Sequence, residues 1–199
     1  NYDNICYIIN RKDLDRISSL TTPQEVLAIV EKPTYSYDLK LLKNELVIAL
    51  DSIQDPGNMG TIIRLADWFG INNILCSVNT VDVFNPKVIQ STMGSFVRVK
   101  VHYCDLMNVI EESIRIGIPV WGTFLHGKSI YEINFPNNGI LVMGNEANGI
   151  SKEIENIIQQ KITIPHYQQN ENKPESLNVA VATAIIISYA KSNNNYLIN

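Results

Sequence analysis

The stretch that decides the fold is Leu46-Val47-Ile48-Ala49-Leu50, then Gln54-Asp55-Pro56-Gly57-Asn58-Met59-Gly60, then an amphipathic run that carries Arg64 and ends in Phe69-Gly70. The first five residues form a short apolar strand, the middle seven are a turn with a residue able to cap a helix, and the run 60–70 has helical periodicity. Working outward, the same alternation recurs. Strands are predicted at 46–50, 73–76, 97–102, 119–123, 139–143 and 162–164, with helices at 60–70, 85–93, 105–116, 151–160 and 177–191 between and after them. Gly70 and Gly117 follow their helices as C-terminal caps, and Pro119 blocks further helix. This order predicts an α/β fold with a mostly parallel sheet flanked by helices.

Composition narrows the function classes. Of the 199 residues 45% are hydrophobic and 18% charged, against a usual charged share of about 25%, which excludes disorder and favours extensive burial or oligomerisation. No apolar run approaches the roughly 18 residues of a membrane span, and no signal layout opens the chain, so a cytoplasmic protein without a membrane partner is expected. Cys6, Cys76 and Cys104 form no CxxC pair and read as buried thiols, while His102, His126 and His166 are too scattered for a metal site. The net charge of −4 counts against non-specific nucleic-acid binding, so any RNA contact must be a local patch.

Residues 1–35 read as strand (5–9), short helix (14–19) and strand (26–30), too little to form a core alone. They are expected to be the remnant of a larger domain, joined by a linker at 36–45 to a main domain at 46–191, with an Asn-rich tail at 192–199. The last helix is apolar on all sides, so it is either a central core helix or one whose outer face meets a second subunit.

Three segments stand at strand ends, where free backbone N–H groups of the following helices collect ligands in open α/β sheets. The first holds Asn58, with Arg64 six residues on; it also reads simply as a Pro-Gly turn and cap. The second is Gly144-Asn145-Glu146-Ala147-Asn148-Gly149-Ile150-Ser151, in which the glycines permit positive φ and Ser151 can cap a helix. Turn chemistry leaves the acid at Glu146 unexplained. The third is Ile164-Pro165, a polar link, then Ser176-Leu177-Asn178-Val179, where Ser176 or Asn178 can cap the apolar helix.

In order and spacing these segments resemble the three signature motifs of the SpoU (TrmH-like) branch of the SPOUT RNA methyltransferases. The matching residues are Asn58, Arg64 and Phe69-Gly70, then Gly144, Glu146 and Gly149, then Ile164-Pro165 and Ser176-Leu177-Asn178-Val179. The resemblance implies a C-terminal trefoil knot, S-adenosylmethionine as methyl donor, a ribose 2′-hydroxyl of structured RNA (rRNA or tRNA, not DNA) as acceptor, and a homodimer packed through the last helix. It also implies that residues 1–35 are the end of an RNA substrate-binding domain. On the same resemblance Thr123, Leu125, Gly144, Gly149, Ile164 and Leu177 bind the donor, and Arg64, Asn58, Glu146, Ser176 and Asn178 are the catalytic set. A guanidinium with a pKa above about 12 is a poor base, so Arg64 is expected to stabilise the developing alkoxide and grip a phosphate. The segment 166–175 is longer than the family's usual link and lacks glycine, a departure that leaves an idle RNA-binding member as the alternative.

Overall fold

All six positions of β1 (Leu46–Asp51) are buried, because helices cover both faces of the sheet it centres. In the computed structural model, residues 6–35, 38–168 and 175–193 are described. Six strands lie in the order β3-β2-β1-β5-β4-β6. They are β1, β2 (Asn73–Ser77), β3 (Lys100–Cys104), β4 (Val120–Ser129), β5 (Gly139–Gly144) and β6 (Gln160–Thr163), and every pairing is parallel.

Side chains alternate between two cores. Leu46, Ile48 and Leu50 of β1 join one apolar cluster with residues of α2 (Pro56–Trp68), α3 (Pro86–Thr92) and α6 (Val179–Ser192). Val47 and Ala49 join another with residues of α4 (Leu106–Arg115) and α5 (Lys152–Ile157). The order of strands reverses at β1, which pairs with β2 on one side and β5 on the other, so the crevice between the ends of β1 and β5 is a topological switch point. Asp51 and Gly144 are register partners there.

Several boundaries differ from the sequence reading. Helix α2 starts at Pro56, not residue 60, because Asp55 caps it by accepting the Asn58 N–H; the supposed turn is the first turn of the helix. Residues 95–97 form a 3₁₀ turn before β3, and β4 runs on to Ser129 through a break in register. Ser151 stands at the N-cap of α5 without a side-chain cap, and its own N–H is donated to Asp51. Gly70 and Gly117 do cap their helices, at φ 66° and 78°.

The chain separates into two units, Asn1–Thr34 and Tyr35–Asn199. In the first, α1 (Arg11–Ile17) is capped by Asn10. Residues 6–9 and 26–30 are not strands. They find no partner strand among the described residues of that unit, and a lone strand leaves its backbone groups unpaired. Residue 5, the tail beyond 193, residues 36–37 of the linker and the centre of the long 166–175 link lie outside the described residues.

Candidate active site

One residue from each of the three segments, Asn58, Glu146 and Asn178, meets the others at the switch point. Asn178 caps α6 through its Oδ1, which accepts the N–H groups of Ala180 and Val181 at 3.0 and 3.2 Å. That fixes the orientation of the amide, so Nδ2 points away from the helix and donates to Asn58 Oδ1 at 2.9 Å. The Asn58 amide is oriented in turn, and its Nδ2 donates to Glu146 Oε1 at 2.7 Å. A helix N-terminus, two amides and a carboxylate thus form one directional chain of hydrogen bonds, with each polar atom assigned by its neighbour. The acid that turn chemistry left unexplained is its terminus.

Local sequence places each member. Asp55 holds the Asn58 backbone at 2.7 Å and Pro56 is pre-set for the first helical turn. Glu146 rides on a loop closed by backbone bonds between Asn145 and Gly149. Gly149 has φ +69°, and a Cβ on Gly144 would lie 2.2 Å from both Gly149 C and Ile150 N, so neither position accepts a side chain without strain.

The residues expected to bind a donor lie at the same carboxyl edge of the sheet. Thr123 Oγ1 donates to Val142 O at 3.1 Å and Thr163 Oγ1 to Leu125 O at 3.2 Å. Thr123 and Lys128 both register with Ile162, so residues 124–127 leave the β4–β6 ladder. Leu125 and Leu177 are 66% and 50% exposed, Ile164 is half-buried, and Ser176 is exposed with no hydrogen bond among the described residues.

Arg64 is not joined to this chain. It is exposed, and six residues on a helix put it about 9 Å along and about 120° around from Asn58. It shares an exposed stripe with Trp68, which is 82% exposed. The cap residue that the first segment offered is Asp55, which fixes Asn58; sequence reasoning missed Asp51, a carboxylate only 4% exposed at the end of an otherwise apolar strand. It also took all three cysteines as buried, whereas Cys6 is exposed. Burial pushes the Cys76 and Cys104 thiols up, Cys104 to about 11, so neither is a nucleophile at neutral pH. No helix among the described residues is long and apolar enough to cross a membrane, and no three of their His, Cys, Asp and Glu side chains cluster as metal ligands.

Known proteins of one family resemble this chain. The model of the SpoU rRNA Methylase family matches residues 45–188. The 23S rRNA (guanosine(2553)-2′-O)-methyltransferase RlmP of Bacillus subtilis is 32% identical over 94% of this chain and 72% of its own length. Among solved structures, a TrmH-family protein from Porphyromonas gingivalis superposes with a TM-score of 0.76 at 41% identity, over 89% of this chain and 70% of that one. The SpoU methyltransferase AviRb of Streptomyces viridochromogenes, solved in complex with AdoMet, gives 0.69 at 27% identity over 79% and 64%. With three motifs converging at one switch point, a matching six-stranded parallel SPOUT sheet and a family model spanning most of its length, this chain belongs to the SpoU rRNA methylase family.

Proposed function

We propose that the chain carries the catalytic domain of an RNA methyltransferase that moves a methyl group from S-adenosylmethionine to a ribose 2′-hydroxyl of rRNA or tRNA. The observation that carries the reading is the Asn178–Asn58–Glu146 chain at the switch point. The carboxyl edge fits such a donor: residues 124–127 leave the ladder there, and Leu125 and Leu177 expose apolar surface that the core does not use. Backbone groups at Thr123, Leu125, Gly144, Gly149, Ile164 and Leu177 would hold its adenine, ribose and methionine parts without adding charge.

When bound, the sulfonium donor supplies an electrophilic methyl. The task of the protein is then to bring a hydroxyl oxygen into line with it, and holding both partners in place is worth roughly 7–11 kcal/mol in favourable cases. Asn58, Glu146 and Asn178 form a rigid polar wall that orients the hydroxyl, with Ser176 beside it. Arg64, exposed and with no ion pair among the described residues, grips a phosphate and stabilises negative charge on the attacking oxygen. Requiring the 2′-hydroxyl separates RNA from DNA.

The proposal extends to a cytoplasmic homodimer with the family's C-terminal knot, and to residues 1–35 as the end of an RNA-binding domain joined at 36–45 to a catalytic domain at 46–191. One face of α6 is buried, while Ala184, Ile185 and Ser188 line an open groove of ≈ 670 Å³ with Leu65, Trp68 and Tyr131. An apolar groove with an exposed indole at its lip suits a second copy.

The test is incubation with labelled donor and total RNA, followed by digestion to nucleosides. Label in 2′-O-methyl nucleosides is expected. RNA binding without incorporation, or label on a base, would overturn the reading.

A further inference from the structure

Asn145 belongs to the second loop but also grips the first. Its Oδ1 accepts the N–H groups of Ala147 and Asn148 at 2.9 and 3.1 Å, and its Nδ2 donates to the carbonyl of Ser52 at 2.8 Å. Two N–H donors on one side and a carbonyl on the other leave only one way round for the amide. The backbone of Asn145 also exchanges two bonds with Gly149, at 2.9 and 2.8 Å. Glu146 therefore sits in a turn closed upon itself, and the Ser52 bond ties that turn to the end of β1.

The anchor at Ser52 is rigid. Ser52 is held at φ 60°, in the left-handed region, with its N–H donated to Ser77 Oγ at 2.8 Å. Its hydroxyl donates to Asp51 Oδ1 at 3.2 Å, and Asp51 Oδ2 accepts the Ser151 N–H at 2.7 Å. The loop is thus pinned to the strand end at two points, Asn145 near its start and Ser151 at its finish. Glu146 lies next to the first pin.

We propose that Asn145 is a positioning residue for the transfer reaction: it registers the second loop against the end of β1, and so sets where the Glu146 carboxylate meets Asn58. The proposal rests on the reading of this site as a methyl-transfer centre. Without the Ser52 bond the loop stays closed through Gly149 and pinned at Ser151, so the fold survives. Glu146 loses its register with Asn58, and a displacement near 1 Å is enough to cost on the order of a hundredfold in rate.

The distinguishing variant is Asn145→Asp. It keeps the acceptor for Ala147 and Asn148 but sets a carboxylate oxygen against the Ser52 carbonyl. Protonation of the introduced carboxyl restores a donor, an O–H in place of the lost N–H. The ionisable groups linked to this position through the network are Asp51 at the end of β1, Asp55 at the cap of α2 and Glu146 in its own loop. All three are acidic, so they hold the introduced carboxyl above the usual value of about 3.9.

The test compares wild type, Asn145→Asp and Asn145→Ala from about pH 8 down to about pH 5. The first readout is kcat and KM for labelled donor and RNA. The second is the side-chain amide NMR resonances of Asn58 and Asn178, which need no turnover. Both variants are expected to lose kcat by tenfold or more, on the order set by misplacement, with KM little changed, and to shift the Asn58 resonance. Relative to wild type, Asn145→Asp recovers in both readouts on acidification while Asn145→Ala does not. Asn58 resonances at wild-type positions in both variants would overturn the proposal. A wild type that transfers no methyl would instead defeat the functional reading, and the resonances would still decide whether Asn145 positions Glu146.

Discussion

Glu146 accepts a 2.7 Å hydrogen bond from the side chain of Asn58, although one residue follows β5 and the other lies in the first turn of α2. That bond joins the second segment to the first across the switch point, and Asn178 extends it to the third. A bond to a charged acceptor contributes about 1.5–3 kcal/mol, or about tenfold to a hundredfold in rate if it is used in the transition state. Asn58→Ala is therefore expected to lower kcat by that factor and stability by no more than about 3 kcal/mol, as measured by single-turnover kinetics beside a melting curve. A variant with wild-type kcat would remove Asn58 from the catalytic set.

Arg64 stands apart from the chain of amides and is exposed. Arg64→Ala should abolish most transfer, by about a hundredfold or more if the guanidinium stabilises a developing oxyanion, while donor affinity by calorimetry stays within about twofold. Equal loss of donor binding would place Arg64 on the donor side.

Trp68 is 82% exposed at the lip of the groove beside α6. If a second copy covers it, Trp68→Ala should weaken self-association by about 2 kcal/mol, the usual cost of losing an aromatic anchor. Sedimentation equilibrium measures this directly. A wild type that stays monomeric at high concentration, or a variant that dimerises as well, would contradict the homodimer.

Buried His102 gives a stability signature. Its Nε2 lies 2.9 Å from Asn73 Oδ1, and Asn73 Nδ2 donates to Glu45 at 2.6 Å, so Nε2 carries the hydrogen. Desolvation lowers its pKa below the ordinary 6.5, with nearby Lys100 acting the same way and a Tyr35 backbone contact opposing. The unfolded chain then binds more protons than the folded one below about pH 6.5, so stability falls with pH from there down through the folded pKa. Chemical denaturation at a series of pH values should show this loss in wild type and a flatter profile in His102→Gln. Identical profiles would mean that His102 titrates alike in both states.

The sheet was legible because its strands are short apolar runs between helical ones, and all six predicted strands are present with shifted ends. What misled the reading was local. Asp55 caps α2 earlier than the apolar periodicity suggests, and the exposed apolar residues at 7–9 and 26–30 have strand composition but no partner among the described residues. Asn58, Glu146 and Asn178 were visible as motif residues, yet only the fold brings positions so distant in the chain to one point. Asn145 passed as a turn residue and Asp51 fell just past the predicted strand 46–50, since their role lies in bonds across loops that no spacing records.

The central claim is that three strand-end loops hold a methyl donor against the Asn58–Glu146–Asn178 wall. A crystal structure of the protein with S-adenosylmethionine tests it most directly. The account predicts the adenosine against backbone groups of Thr123, Leu125, Ile164 and Leu177, with the methyl facing Asn58. A donor bound elsewhere, or one whose methyl points away from these three side chains, would contradict it.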